Sequence, residues 1–314
     1  LLELRAELPA RYIVPYPDAN TIARVGDKAA FARMCEDLEV AHPRSRVRAT
    51  GGEVTGLRYP IVAKACDTPA FHRVKFTGQK KVFFFETPHE ADHMLQISDA
   101  AGYDGGYLLQ EYIPGDDTHM RVLNVYAQNG RIVFAGLGEV LLEEHVPSAI
   151  GNSAAIITTH DASIVAAASR IINELNWHGF GCFDIKIDPR TGEAMIFEMN
   201  ARLGRAHHYL TAAGSNPATY YLRDWVDGEV LTEVEQVAPG FLYTVVPLSL
   251  LLTYVPERRG ELLRLVARRK VASPLFNTAE RHPKRWAYAA AAMANQWRKF
   301  LRYYPPRQRG KAGL

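Results

Sequence analysis

Cysteine is scarce in this chain of 314 residues: Cys35, Cys66 and Cys182 are the whole complement, an odd number with no Cys-x-x-Cys spacing. That argues against a disulfide framework and a structural zinc site, and fits reduced thiols in a cytosolic protein. Long apolar runs are also missing. The longest candidate, Phe241 to Val255, is interrupted by Pro247, Ser249 and Thr253, short of the roughly twenty apolar residues that cross a bilayer. No Gly-x-x-x-x-Gly-Lys occurs, so there is no P-loop, and a signal peptide is not expected from the first residues given. The first residue is Leu1 rather than Met, in mid-pattern, so an upstream portion is expected to precede it. None of the cysteines or serines has an obvious triad partner, which makes nucleophilic catalysis the weaker mechanism.

What is present is ordinary in amount and uneven in placement. The length suffices for a sizeable core and more than one subdomain, and 47% apolar with 23% charged residues suits a soluble globular enzyme. Residues 256–314 carry fifteen Lys or Arg against three Asp or Glu, while residues 1–255 carry 22 against 31. A cationic tail region on an acidic body points either to a partner with phosphates or an anionic surface, or to a solvated face packed on the body.

Two stretches carry the chemistry. Asp184-Ile185-Lys186-Ile187-Asp188 and Glu198-Met199-Asn200-Ala201-Arg202 read as strands of one hairpin, joined through Asp188-Pro189-Arg190-Thr191-Gly192, a run of turn formers. Alternation puts Asp184, Lys186 and Asp188 on one face. On the second strand it groups Ile196, Glu198, Asn200 and Arg202 against Met195, Phe197 and Met199. Asp184, Glu198 and Asn200 then offer the oxygen donors that Mg²⁺ takes together with the phosphates of a nucleotide. An exposed hairpin face is the alternative, disfavoured because unpaired charge inside the apolar run from Ala194 to Leu203 would be costly.

Residues 1–26 read as a helix end, a short extended piece at Tyr12-Ile13-Val14, and turns. A helix capped by Asp27 shows its stripe at Phe31, Met34, Cys35 and Leu38. Lys28 in its first turn opposes the helix dipole, which hints at a phosphate nearby or reflects a merely solvated lysine. Arg58 to Lys64 reads as a short strand ending in a lysine, followed by a polar loop from Cys66 to Lys81 able to grip phosphate. Val82–Phe85 is a strand, and Thr87-Pro88-His89-Glu90 opens a helix towards Ala101. Leu108 to Ile113 is a strand, residues 121–126 and 131–135 form a hairpin about Gln128-Asn129-Gly130, and a helix spans Asp161 to Leu175, ended by Gly179 and Gly181. Trp286, Met293, Trp297, Phe300 and Tyr304 stripe a long amphipathic helix that packs on the body or lies at a membrane surface. Hairpins mixed with helices argue for an α+β fold rather than a doubly wound sheet.

Together these pieces resemble the ATP-grasp superfamily of carboxylate ligases from about Asp27 to Gly228. The motifs are Lys28 after Asp27, Lys64 at a strand end, Gln110-Glu111-Tyr112-Ile113-Pro114-Gly115, and Asp184 with Glu198-x-Asn200-x-Arg202; four in the right order are specific where one would be weak. The resemblance implies an α+β ATP-grasp fold, two subdomains clasping ATP, with a helical basic C-terminal extension. Residues 1–26 would be the remnant of a preceding N-terminal domain, 27–112 the lid subdomain with its preceding helix, 113–235 the metal-binding subdomain and 236–314 the extension. It further implies that Lys28 and Lys64 contact phosphates, that Gln110 and Glu111 sit at the adenine edge, and that the backbone of Ile113 reads the ring with Asp117 near the ribose. Asp184, Glu198 and Asn200 would bind two Mg²⁺ ions, or Mn²⁺ in their place. Arg202 would face the reacting carboxylate and stabilise an oxyanion, with Lys186 as a second catalytic group. The loop after Lys64 would be the lid, departing from the glycine-rich form of biotin carboxylase, with Thr68, Phe71, Lys75 and Gly78 instead.

The implied activity is ATP-dependent joining of a carboxylate to an amine through an acyl phosphate. The C-terminal region, with Ser273-Pro274-Leu275-Phe276 and Lys299-Phe300-Leu301-Arg302-Tyr303-Tyr304, is similar to that of D-aspartate ligases of peptidoglycan cross-bridge synthesis. That similarity implies an amino acid such as D-aspartate, a UDP- or lipid-linked muropeptide as acceptor, and a cytoplasmic place, at the inner face of the membrane if the basic helix touches it. Nucleic acid is not an expected partner. Arg205, His207 and His208 either touch the acid or face protein and solvent. The competing readings are an ATP-grasp carboxylase or another amino-acid or dipeptide ligase, and a non-catalytic nucleotide-binding, membrane-associated module. Against the carboxylase stand the missing glycine-rich lid and the missing biotin-carrier segment.

Overall fold

Two sheets carry the chain in this computed structural model, which describes residues 4–9, 11–276 and 279–306. The first contains β1 (Ser45–Arg48), β2 (Ile61–Ala65), β3 (Val82–Phe85) and β4 (Tyr107–Glu111) in the order β1-β4-β2-β3, antiparallel throughout. Ile61, Ala63, Phe83, Phe85, Tyr107 and Leu109 bury one face against Phe71, Ala91 and Leu95 of helices Thr68–Arg73 and Pro88–Ala100. Because side chains alternate, Val62, Lys64, Leu108 and Gln110 take the opposite face. Lys64 there reaches the second sheet, its Nζ 5.1 Å from the centre of the Phe197 ring.

The second sheet comprises β5 (Met120–Gln128), β6 (Arg131–Glu143), β7 (Ser153–Thr159), β8 (Gly179–Ile187), β9 (Ala194–Asn200), β10 (Glu235–Gln236), β11 (Leu242–Thr244) and β12 (Val271–Ala272). Their order is β12-β11-β7-β6-β5-β8-β9, with β10 paired to β6. Only the short pairs β10 with β6 and β11 with β12 are parallel. Asn129 and Gly130 turn β5 into β6 with φ of 50° and 76°, the backbone a tight two-residue hairpin needs. Leu123, Val125, Phe183, Ile185, Ile196 and Met199 pack against helices Ala19–Gly26, Lys28–Asp37 and Ala162–Glu174. On the other face Val122, Tyr126, Phe134 and Phe180 meet Tyr209, Leu210 and Tyr220. A Cβ at Gly136 would run into Leu210 there, so the 208–212 helix rests directly on β6.

Local chemistry accounts for several departures from the sequence expectation. Helix Ala19–Gly26 replaces expected turns because Asp18 accepts from the amides of Asn20 and Thr21. The expected loop after Lys64 contains helix Thr68–Arg73, capped by Asp67 and fixed by Phe71 edge-on against Phe83, Tyr103 and Tyr107. Strands β1 and β7 were not expected. Gly179 and Gly181 open β8 instead of ending the preceding helix, which turns off at Asn176 with φ 43°. The last helix, Pro283–Tyr303, buries Phe300, with Tyr304 just beyond it, against Leu250, Leu251 and Tyr254, whereas Trp286 at the other end of the stripe is 41% exposed. Among the described residues no helix is long and apolar enough to cross a membrane.

Candidate active site

The β8–β9 hairpin is closed by its own turn. The Asp188 carbonyl accepts from the amides of Thr191 and Gly192, and its carboxylate, 1% exposed, takes the Arg190 guanidinium at 2.6 Å. Asp188 therefore seals the turn rather than joining the polar row. Along the strands Asp184 lies opposite Glu198 and Cys182 opposite Asn200, and the register shifts by one between Asp184 and Ile185. Phe197 is the extra residue of this β-bulge. Ile196 consequently enters the core beside Ile185, and Phe197 turns to Lys64. Strict alternation had placed Ile196 with Glu198 and Phe197 with Met199; the bulge reverses both.

Two carboxylates paired across adjacent strands repel each other. Burial, and then Glu198, push the Asp184 carboxyl up to about 6, against the pull of Lys64, Arg202 and the Asn200 amide. Asn200 donates from Nδ2 to Asp184 Oδ2 at 3.2 Å, so its carbonyl oxygen remains a donor for a cation. Among the described residues no three or more His, Cys, Asp or Glu form a metal cage of their own. The set fits an ion that takes few protein oxygens and completes its shell with phosphate, which is the habit of Mg²⁺.

Cations converge on the same point from several elements, Lys64 from the facing sheet and Lys28 from the helix packed behind β9. Burial pulls the Lys64 ammonium down, Glu198 and Asp184 oppose that pull, and Lys28 and Lys81 add to it. Lys28, Lys64, Asp184 and Glu198 are thus neighbours although they come from four separate elements. Arg202 is exposed on the loop after β9, close enough to Asp184 and Cys182 to act on both. That loop is anchored from beneath. The Gly204 amide donates to Asn124 Oδ1 at 2.9 Å, Asn124 donates to the Tyr209 hydroxyl at 3.1 Å, and that hydroxyl donates to the Gly136 carbonyl. Burial pushes the Cys182 thiol up, which suits packing rather than nucleophilic attack.

The other expected residues divide between two places. Lys186 sits 5.1 Å from the centre of the Tyr112 ring, its ammonium pulled down by burial and held up by Glu143, Asp117, Asp116 and Asp188. Asp117 accepts from the Glu143 amide and from His145 Nε2, each at 2.9 Å. Gln110 is 4% exposed on the cleft-facing side of β4 and donates to Ser45 Oγ at 3.0 Å; Ile113 follows, 8% exposed. The Glu111 side chain takes the alternate direction, where Arg58 holds it by its amide and guanidinium. His207 binds the Gly204 carbonyl, His208 faces Tyr243 at 6.4 Å, and Arg205 is exposed beside Tyr243.

Glu143 was missed by sequence reasoning. Burial first, then Asp117 and Asp184, push its carboxyl up to about 8, with Lys186 opposing. It ends β6 directly after the buried run Val140–Leu142, and a carboxylate closing such a run is the signal that could have found it. Phe197 and Tyr112 escaped for another reason: they are ordinary strand aromatics until a lysine sits over each.

No protein-family model matches the chain. A D-aspartate ligase of Enterococcus faecium (strain Aus0004) is 29% identical over 314 residues, covering 96% of this chain and 75% of that protein. Among solved structures, L-amino acid ligase from Bacillus licheniformis superposes with a TM-score of 0.51 at 14% identity, over 73% of this chain and 55% of that one. The biotin carboxylase domain of Hydrogenobacter thermophilus 2-oxoglutarate carboxylase, solved with MgADP and bicarbonate, gives 0.54 at 14% identity, over 72% and 51%. The chain thus spans little more than half the length of these two solved structures, and the likeness to them is one of fold.

Proposed function

We propose, for a chain with the ATP-grasp fold and a D-aspartate ligase among its homologues, that it is an ATP-dependent carboxylate–amine ligase. The observation that carries this reading is the meeting of Asp184 and Glu198 on one sheet with Lys64 from the other. Such a site suits a substrate with several negative charges held through both cations and metal. Lys28 and Lys64 hold the phosphates; Gln110, Glu111 and Ile113 border the adenine, Glu111 through its backbone; Asp117 takes the ribose. Asp184, Glu198 and Asn200 hold Mg²⁺, two ions with Mn²⁺ as a substitute. When bound, the metal neutralises the triphosphate and aligns it for transfer.

A carboxylate oxygen of the acid attacks the γ-phosphorus and ADP leaves, giving an acyl phosphate. The amine then adds to the acyl carbon and phosphate departs. Arg202, exposed and close to Asp184, stabilises the oxyanion formed at that carbon, and closure of the segment after Lys64 over the bound nucleotide would keep water from the mixed anhydride. Lys186, among Glu143, Asp117 and Asp116, steadies the nucleotide end of the cleft.

The acid is an amino acid, with D-aspartate first by virtue of the homologue. The acceptor is an amine on a UDP- or lipid-linked muropeptide, whose diphosphate suits the fifteen cations against three anions of residues 256–314. The exposed, basic start of helix Pro283–Tyr303 supports contact with the inner face of the membrane. The test is ADP release from MgATP against D- and L-amino acids, with and without a lysine-containing UDP-muropeptide. Release needing D-aspartate and muropeptide together supports the full reading. Release with another acid–amine pair keeps the ligase and removes the cell-wall assignment; release with bicarbonate alone favours a carboxylase. Binding of ATP with no release under any pairing favours a non-catalytic module.

A further inference from the structure

The segment after β6 borders the nucleotide end of the cleft, and the last helix grips it. Gln296, Phe300 and Tyr304 fall four residues apart, hence on one face. Gln296 donates to Glu144 Oε1 at 3.2 Å. The Tyr304 ring lies flat on the His145 imidazole, with centroids 3.6 Å apart and planes 10° from parallel, and Phe300 meets the same imidazole edge-on at 6.0 Å. Tyr304 is itself pinned: it is 7% exposed and its carbonyl accepts from the Tyr254 hydroxyl at 2.6 Å.

On its far side His145 donates from Nε2 to Asp117 Oδ2 at 2.9 Å, and the Glu143 amide donates to that same oxygen. Both donors thus fall on Oδ2, while Oδ1 carries no hydrogen bond among the described residues. A carboxylate rotates readily about its last torsion. Two donors fixed on one oxygen stop that rotation and aim the other oxygen.

We infer that His145 and Tyr304 are positioning residues for the nucleotide ribose: they hold Asp117 so that its unengaged oxygen meets the ribose hydroxyls, and they make the C-terminal helix part of the nucleotide pocket. The inference rests on the reading of Asp117 as the ribose acceptor. Its energetic basis is preorganisation, since an acceptor already oriented loses no rotational freedom when the nucleotide arrives.

The experiment is calorimetric binding of ATP, 2′-deoxyATP and 3′-deoxyATP to the full chain with Mg²⁺, for wild type, His145→Ala, His145→Gln, Tyr304→Ala and Tyr304→Phe. One hydrogen bond to a charged acceptor predicts a deoxy-to-ATP ratio of dissociation constants of about ten in wild type for at least one analogue. In His145→Ala and Tyr304→Ala that ratio falls below about three, through weaker ATP binding rather than stronger deoxy binding. His145→Gln, which keeps a donor, and Tyr304→Phe, which keeps the stack, recover most of it. Loss of a merely structural contact would weaken all three nucleotides alike and leave the ratio in place, and that outcome overturns the relay. If His145→Ala does not fold, Tyr304→Ala carries the same prediction with the imidazole intact. A wild-type ratio near one removes Asp117 from the ribose, and so defeats the underlying assignment and the relay together.

Discussion

Glu198→Gln separates the metal reading from a structural one because the two demand opposite behaviour. Glu198 stands directly opposite Asp184 and helps raise that carboxyl to about 6, so neutralising it relieves a repulsion in the empty protein. Stability without metal is then expected to stay level or rise by up to about 1 kcal/mol, the usual gain where a site is strained for function. Mg²⁺ linkage moves the other way. One unit charge and a divalent cation about 5 Å apart at an effective dielectric near 20 attract by about 7 kcal/mol, and with roughly half offset by desolvation about 3 kcal/mol remains, roughly a hundredfold in affinity. The assay is calorimetric titration of ATP at 0 and 10 mM Mg²⁺ (~10 mM, far above typical site affinities), alongside urea unfolding of the apoprotein. In wild type Mg²⁺ tightens ATP binding, and in the variant that tightening shrinks by about two orders of magnitude. A variant that loses stability but keeps the Mg²⁺ effect would show that Glu198 is a packing residue and refute the metal assignment.

Lys64→Met should weaken ATP ten- to hundredfold while leaving adenosine binding unchanged, as expected for loss of a charged bond to phosphate; equal losses for both ligands would contradict that. Asp99→Asn should cost about 3 kcal/mol in urea unfolding, because it strands the Arg48 guanidinium, 3% exposed at its side chain. Burial works against ionising Asp99, but Arg48 and the Gly51 amide outweigh it and hold the carboxyl below its usual value. Its stabilisation is therefore complete above the ordinary carboxylate range and lost as pH falls through the lowered value, so the variant should lack part of the wild type's acid-induced loss; parallel acid limbs would refute this. Glu143 has the opposite sign. Its raised carboxyl makes the native state bind more protons than the unfolded chain between the ordinary glutamate range and about pH 8, so wild-type stability falls as pH rises through that window. Glu143→Gln should gain on wild type between pH 5 and 8.5 in urea midpoints, and a gap that does not change with pH would remove the assignment.

The polar hairpin was legible because alternation is a local rule and β8 obeys it. The bulge was not, since Ile196 and Met199 are both drawn to the core at a spacing of three, a conflict decided by the helices packed behind them. Strand β1 reads Ser-Arg-Val-Arg and has no apolar face of its own; only pairing with β4 makes it a strand. Helix Thr68–Arg73 is too short for periodicity and shows itself only through Asp67 and Pro69 at its start. The cation side of the site was found through lysines at element ends. At the other end of the cleft Glu143 and His145 are near neighbours, but Tyr304 lies far along the chain, and the group acquires meaning only when the end of β6 and the last helix meet.

The bulge at Phe197 also bears on how this strand tolerates changes in length. Deleting Phe197 would leave Ile196 and Met199 inward and Glu198 and Asn200 outward, because the extra residue lies between two positions that already alternate correctly without it. Deleting Met199 instead would turn Asn200 into the core. Insertions and deletions in β9 are therefore unequal: a strand one residue shorter at Phe197 would keep its carboxylates and its core, and would lose only the aromatic ring beneath Lys64.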